Sequence, residues 1–410
     1  MSRPAVAGLR WNRREIAGGL GDAGLLIPIA IAMVTVNGLN ATAVFAGVGL
    51  AYIGSALYFR VPVPVQPLKA FAAAAIALGL HADVLAAGAL LMAVAMAMLA
   101  LTGAAGWLAA RFPVVLVRGI QASVALLLAK AAVELAERGN WASLPAIDPA
   151  LAVTMAVVCC GVLFLWRDGG RLPGALIVLA AGAAVGVAVS GLPSGLHLGP
   201  QAVGASVPDG AAFATALTTL VVAQIPLTFG NSVVATVDAE RTYFGGRAAR
   251  VKPRAVAGSI AVNNTLAGLI GGLPVCHGAG GVTAHYRLGA RSAAATLFTG
   301  SLLLALALVF GAALPEVLIR LAPGALAGML LYVAIQHGVL ASQLERLPER
   351  VIVAGIGVIT LLSGNLAIGF AAGVAALALQ WAARRAIEGV RAEAPPSRGL
   401  PPEARREATS

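Results

Sequence analysis

Few side chains in this sequence could do chemistry, and most of them gather in two short stretches. PVQPLKA runs from Pro64 to Ala70 and PVCHGAG from Pro274 to Gly280. The first offers the amide of Gln66 and the ammonium of Lys69; the second offers the thiol of Cys276 and the imidazole of His277. Both open on proline, which disfavours helix at its own position and at the residue before it. Each stretch then predicts a short helix, one beginning after Pro67 and the other near Gly278 and Ala279. A helix start leaves backbone N–H groups without partners and presents the positive end of the helix dipole. Gly278, Gly280 and Gly281 permit close approach to the backbone or tight helix packing. Two such starts facing each other would bind an anion.

Other chemistries fit less well. Cys276 as nucleophile with His277 as base fails on geometry, because neighbours on a helix point about 100° apart. His277 and His285 lack the Cys or carboxylate that would complete a metal site. No phosphate-binding P-loop is present. The reading is a non-enzyme with no cofactor and no metal.

The elements that must carry these stretches lie in a membrane. The chain has 410 residues, of which 59% are hydrophobic and 11% charged, with a mean hydropathy of +0.89. A soluble domain carries about 25% charged residues. Apolar runs of spanning length recur throughout. Segments are expected at roughly 16–37, 42–59, 62–80, 84–110, 114–136, 149–166, 172–191, 211–238, 255–273, 274–291, 293–313, 316–342, 350–363 and 365–383. The tail 384–410, rich in Pro, Glu and Arg, is expected to be disordered. The net charge of +11 reads as topology, not as nucleic-acid binding. With the N-terminus in the cytoplasm, internal loops hold Arg60, Arg111, Arg167, Arg247, Lys252 and Arg346, while external loops hold only Arg138 and Arg320. The positive-inside rule then favours fourteen spans with both ends cytoplasmic, in the inner membrane of a cell.

The halves also resemble each other. PVQPLKA and PVCHGAG lie 210 residues apart, as do Pro113 and Pro323; Asp22 and Asn231 lie 209 apart. Seven spans per repeat is an odd number, so the second repeat enters the membrane inverted, a recurring plan of secondary transporters. The fold class is therefore an all-α polytopic membrane protein of about fourteen segments, a 7+7 inverted repeat with half-helices in segments 3 and 10.

At this point GDAGLLIPIAIAM, VPVQPLKAFAAAAIA, VRGIQASVALLLA and PVCHGAGGVTAHYRLGARS resemble the molybdate-transporter family related to the SulP sulfate permeases. The similarity extends to about residue 383. It implies a core domain of residues 1–110 and 201–313 and a gate domain of residues 111–200 and 314–383. It also implies import of molybdate, with sulfate, tungstate or a nucleobase as alternatives. SulP proteins resemble one another in an acidic residue of segment 8; here that region reads FGNSVVATVD, with Asn231 near the position.

The candidate substrate residues are Gln66, Pro67, Lys69, Asn231, Cys276, His277, Gly278, Ala279 and Gln121. Each has a structural alternative. Lys69 neutralises an anion or pairs with Asp22. His277 binds, titrates near neutral pH or is a hydrogen-bonded core histidine. Asp22 and His277 are the candidate proton carriers. Lys130 and Glu134 are spaced to pair with each other. The partners implied are a tetrahedral oxyanion and the lipid bilayer, with a homodimer admitted.

Overall fold

The apolar runs fold as helices because a chain in lipid must satisfy its backbone hydrogen bonds internally. The computed structural model describes residues 9–109, 113–138, 148–165, 174–192, 196–204, 207–318, 320, 322–342 and 344–393. Its longer helices in the first half are α1 (Ala23–Thr35), α2 (Ala41–Phe59), α3 (Lys69–Leu78), α4 (Ala82–Thr102), α5 (Val114–Arg138), α6 (Pro149–Leu165) and α7 (Gly174–Ser190). The second half follows with α8 (Gly210–Ala248), α9 (Pro253–Ile270), α10 (Ala279–Arg287) and α11 (Ala294–Phe310). It ends with α12 (Pro323–Ala341), α13 (Leu347–Ser363) and α14 (Leu366–Glu393). Among the described residues, five helices are long and apolar enough to cross a membrane: α2, α4, α5, α8 and α14. The chain is thus a membrane protein with several apolar helices.

Local signals set the helix ends. Asn40 caps α2 by accepting from the Ala43 N–H at 2.9 Å. Pro253 occupies the first turn of α9, where its missing N–H costs nothing. Gly79 ends α3 at φ 59°, a left-handed cap that glycine adopts without strain.

The helix packing follows one symmetry. Giving each first-half helix the partner seven places on, α2 matches α9 and α4 matches α11. The observed pairs are α2 with α11 and α4 with α9, which exchange under that rule. α5 packs on α12, α6 on α12 and α13 on α5, and these also map onto one another. Glycines let the backbones close in. A Cβ on Gly49 of α2 would sit 2.8 Å from the Gly300 carbonyl oxygen of α11. Gly324 and Gly328 of α12 meet the Ala152 and Ala156 carbonyls of α6 in the same way.

The symmetry is sharpest between the extended stretches. β1 (Gln66–Pro67) pairs antiparallel with β2 (Val275–Cys276), in the register Gln66 to Cys276 and Pro67 to Val275. Gln66 and Cys276 are equivalent at the repeat offset of 210. An antiparallel pair centred on equivalent residues is what a two-fold axis through that point generates. The Leu68 N–H adds a bond to the Pro274 carbonyl at 3.0 Å.

Several expected segments change, among them 316–342, which divides into helices at Leu314–Leu318 and Pro323–Ala341. The segment expected at 16–37 is broken by a 3-10 turn at Leu20–Asp22, whose central residue is Gly21, where an added Cβ would press on Leu288 and Ala284. The segment expected at 84–110 is broken after Thr102, where Gly103 takes φ 72°, and helix resumes over Ala104–Ala109. The segment expected at 211–238 continues to Ala248, because its polar end, ATVDAERTYF, still contains good helix formers. The helix α14 runs to Glu393, into the stretch expected to be disordered. Ala, Arg and Glu favour helix there, and the Arg385 guanidinium lies 4.0 Å above the Trp381 ring. The remainder of that tail lies outside the described residues, as do Arg111, Arg167 and Arg171.

Candidate functional site

Both extended stretches end in short helices, α3 of 10 residues and α10 of 9. Neither has a side-chain cap on its first residue. In α3 the Phe71 N–H donates to Gln224 Oε1 at 2.8 Å, and Gln224 Nε2 donates onward to Thr228 Oγ1 at 2.8 Å. Gln224 belongs to α8, so the long helix clamps the start of α3. On the other side Asn264 of α9 clamps β2. Its Nδ2 donates to the Val275 carbonyl at 2.6 Å, and its Oδ1 accepts from the Val275 N–H at 3.0 Å. Neither clamp was singled out by the sequence reading; a polar residue inside an apolar helix was the signal for both.

Lys69 is the first residue of α3 and only 7% exposed. Its Nζ donates to Gln66 Oε1 at 2.5 Å. An ammonium can only donate, so the oxygen of Gln66 faces it. Among the described residues the one ion pair is Lys130 with Glu134, at 3.7 Å on the surface of α5. No described carboxylate therefore pairs with Lys69. The side chain of Asp22, its expected alternative partner, lies outside the described residues.

Gly278 makes room for this pair. Its backbone is ordinary extended chain, at φ −162° and ψ 133°. A Cβ there would fall 2.0 Å from Gln66 Oε1 and 3.1 Å from Lys69 Nζ. The glycine lets the Gln66–Lys69 pair of one repeat nest against the helix start of the other.

A cavity of about 310 Å³ opens beside them, at the small end of ligand sites. Its wall includes Gln66, Lys69, Asn231, Gly280 and Ala284, together with Gly21 and Leu25. The opposite wall comes from α5 and α12: Gln121, Tyr332, Gln336 and His337. Asn231 sits in a π-helical turn of α8, Thr228–Val234, a distortion that re-aims side chains and recurs at functional sites. The Arg118 guanidinium donates to Gln121 Oε1 at 3.0 Å, which fixes the orientation of that amide. Gln336 Nε2 donates to the Tyr332 hydroxyl at 2.8 Å.

Of the expected residues, the structure brings Gln66, Lys69, Asn231 and Gln121 around one cavity, with Gly278 packed against the first two. Pro67 lies in β1 and Ala279 begins α10. Cys276 is buried in β2, with its thiol 3.6 Å from the Pro67 carbonyl. His277 is fully buried and stands off the cavity. Its Nδ1 is 2.8 Å from the Pro64 carbonyl, its Nε2 is 3.1 Å from Ser259 Oγ, and Phe59 packs edge-on to the ring. Both nitrogens are thus engaged, the arrangement of the hydrogen-bonded core histidine. The sequence reading missed Tyr332, Gln336 and His337. They are spaced i, i+4, i+5 along the otherwise apolar run MLLYVAIQHGVLA, and that spacing was the available signal.

Known proteins share this arrangement of sequence and fold. A family model described as a molybdate transporter of the MFS superfamily matches residues 14–128 and 216–336, more than half of the chain. Molybdate transporter 2 of Arabidopsis thaliana is 27% identical over 400 residues, covering 88% of this chain and 85% of its own. Molybdate transporter 1 of Chlamydomonas reinhardtii is 28% identical, covering 81% and 84%. The transmembrane domain of the cyanobacterial bicarbonate transporter BicA matches in fold with a TM-score of 0.65 at 16% identity. That match covers 87% of this chain and 96% of BicA's. The murine anion transporter Slc26a9, in its inward-facing state, matches with a TM-score of 0.62 at 16% identity over 90% of this chain and 68% of its own. At these identities the two structures speak for the fold alone.

Proposed function

The chain belongs to the molybdate transporter family, a family of transporters and not enzymes, and we propose that it imports molybdate by alternating access. The observation that carries this reading is Lys69. A buried ammonium in a membrane protein is expensive unless an opposite charge neutralises it. Among the described residues none does. A dianion in the adjoining cavity would neutralise it, and the amides of Gln121 and Asn231 offer further donors. The starts of α3 and α10 add partial positive charge to the same place.

In this proposal the fourteen segments span the membrane as two inverted sets of seven, with both ends in the cytoplasm of a cell inner membrane. The helices α3 and α10 are the half-helices, meeting near the midplane. Residues 1–110 and 201–313 form the core domain that carries the anion. Residues 111–200 and 314–383 form the gate against which it rocks. Supporting this division, the cavity lies where Gln121 and α12 meet the helix starts.

Thermal unfolding of the purified protein against molybdate, tungstate and sulfate tests the reading. A ligand at a hundredfold excess over its Kd stabilises by about 2.7 kcal/mol. The expected order places molybdate and tungstate above sulfate, which has the same charge and shape but is smaller. Uptake of molybdate into proteoliposomes should follow. Absence of both a shift and uptake with every dianion would refute the proposal.

A further inference from the structure

We infer that His337 is a second cationic ligand of the anion, taking up a proton at Nε2 as the dianion enters the cavity and losing it as the dianion leaves. The inference rests on the oxyanion reading above and extends it to the coupling ion.

Geometry comes first. His337 is 4% exposed and lines the same cavity as Lys69, from the opposite wall. Its Nδ1 lies 3.0 Å from the Val333 carbonyl oxygen. A carbonyl only accepts, so Nδ1 carries hydrogen and donates. In the neutral ring Nε2 then holds a lone pair. That leaves Nε2 as the polar atom His337 can present to the cavity. A lone pair facing an oxyanion is a mismatch; an Nε2–H facing it is a charge-assisted hydrogen bond.

Charge balance points the same way. A tetrahedral dianion brings two negative charges, and Lys69 is the only lysine or arginine among the described lining residues. The residual charge would lie uncompensated beside the buried Lys69 and His337. One proton on His337 cancels it. No other described lining residue ionises near neutral pH.

The groups packed around α12 do not alter this. On α5, Arg118 is engaged with Gln121, and Lys130 pairs with Glu134 at the surface; Glu137 and Arg138 follow in its last turn. On α6, Cys159 and Cys160 are buried thiols absent from the described cavity lining, Cys159 packing with Met329. The helices α1 and α7 contain no titratable residue. Asp22 adjoins the lining residue Gly21 in sequence and is tested separately.

The decisive experiment is titration calorimetry of molybdate into the full-length protein, in buffers of different ionisation heat, from about pH 6 to about pH 9. Wild type should take up about one proton per anion above the histidine pKa, with affinity falling about tenfold per pH unit there. His337→Gln should take up none and bind with a flat profile, matching wild type only at the alkaline end. His337→Lys, with a fixed charge in place of the titrating one, should also take up none while binding near the wild-type acidic affinity. Proton uptake that persists in His337→Gln, or that disappears in Asp22→Asn instead, overturns the inference. Wild-type binding with no proton uptake also overturns it, and leaves the oxyanion site standing. If Lys69→Ala binds molybdate like wild type at every pH, the oxyanion site itself is wrong.

Discussion

The two helix starts at the centre of the molecule share a backbone plan and divide the chemistry between them. Each is a two-residue strand leading into a short helix whose own N-cap residue supplies no side-chain cap, and the strands pair through equivalent residues. The first start brings an amide and a positive charge, Gln66 and Lys69, into the cavity wall. The second keeps its polar side chains out of it: Cys276 and His277 bond to the backbone of the first start, at Pro67 and Pro64. What the second start contributes is space, through Gly278. Duplication therefore fixed the scaffold, and the functions of the copies separated into charge on one side and room plus anchoring on the other.

Removing the charge should have the largest effect on this division. Lys69→Ala is expected to weaken molybdate affinity about ten- to a hundredfold, the worth of a charged hydrogen bond of roughly 1.5–3 kcal/mol. Equilibrium binding to the purified variant measures it. Filling the space should come next. Gly278→Ala places a methyl group where Gln66 Oε1 now lies, and displacing the pair should cost about tenfold in affinity, or ~1.4 kcal/mol. If the glycine acts through Lys69, the double variant should be no worse than Lys69→Ala alone, a non-additivity that a cycle reveals.

Disturbing the anchor should separate stability from binding. His277→Leu breaks two hydrogen bonds, one of them fully buried, and should lower unfolding stability by about 1–3 kcal/mol. Affinity in the folded fraction should stay within about threefold of wild type, less than the ~1.4 kcal/mol of a tenfold change. A large affinity loss with unchanged stability would put His277 in the site and end the asymmetry argued here. Lys130→Ala, whose partner Glu134 is about as exposed as itself, should change neither quantity measurably.

The sequence carried the scaffold further than the site. Proline placement, the offset of 210 residues and the apolar runs located both helix starts, because backbone restriction by proline is local and survives any tertiary context. The wall from α5 and α12 was only partly legible. Gln121 stood out in VRGIQ, whereas Tyr332, Gln336 and His337 lay in a helix read only as a span. Which polar residue faces a cavity depends on how one helix is rotated against another, and periodicity does not set that angle across an interface. His277 shows the reverse: its neighbourhood to Gly278 pointed to the anion, but β2 turns its ring towards Pro64 and Ser259. Likewise a polar tail masked the continuation of α14, whose Arg385–Trp381 contact is visible only once the turn exists.

The pairing of β1 with β2 also dates the site in the life of the chain. Gln66 leaves the ribosome 210 residues before the Cys276 that it pairs with, roughly 10–40 s earlier at ordinary elongation rates. Throughout that interval Lys69 is in or near the bilayer with no second helix start beside it. Contacts internal to the first repeat, such as Asn37 bridging the Ala75 and Leu80 carbonyls, need no residue of its counterpart. A cavity whose walls also need Tyr332 and His337 is finished only when four-fifths of the chain has been made.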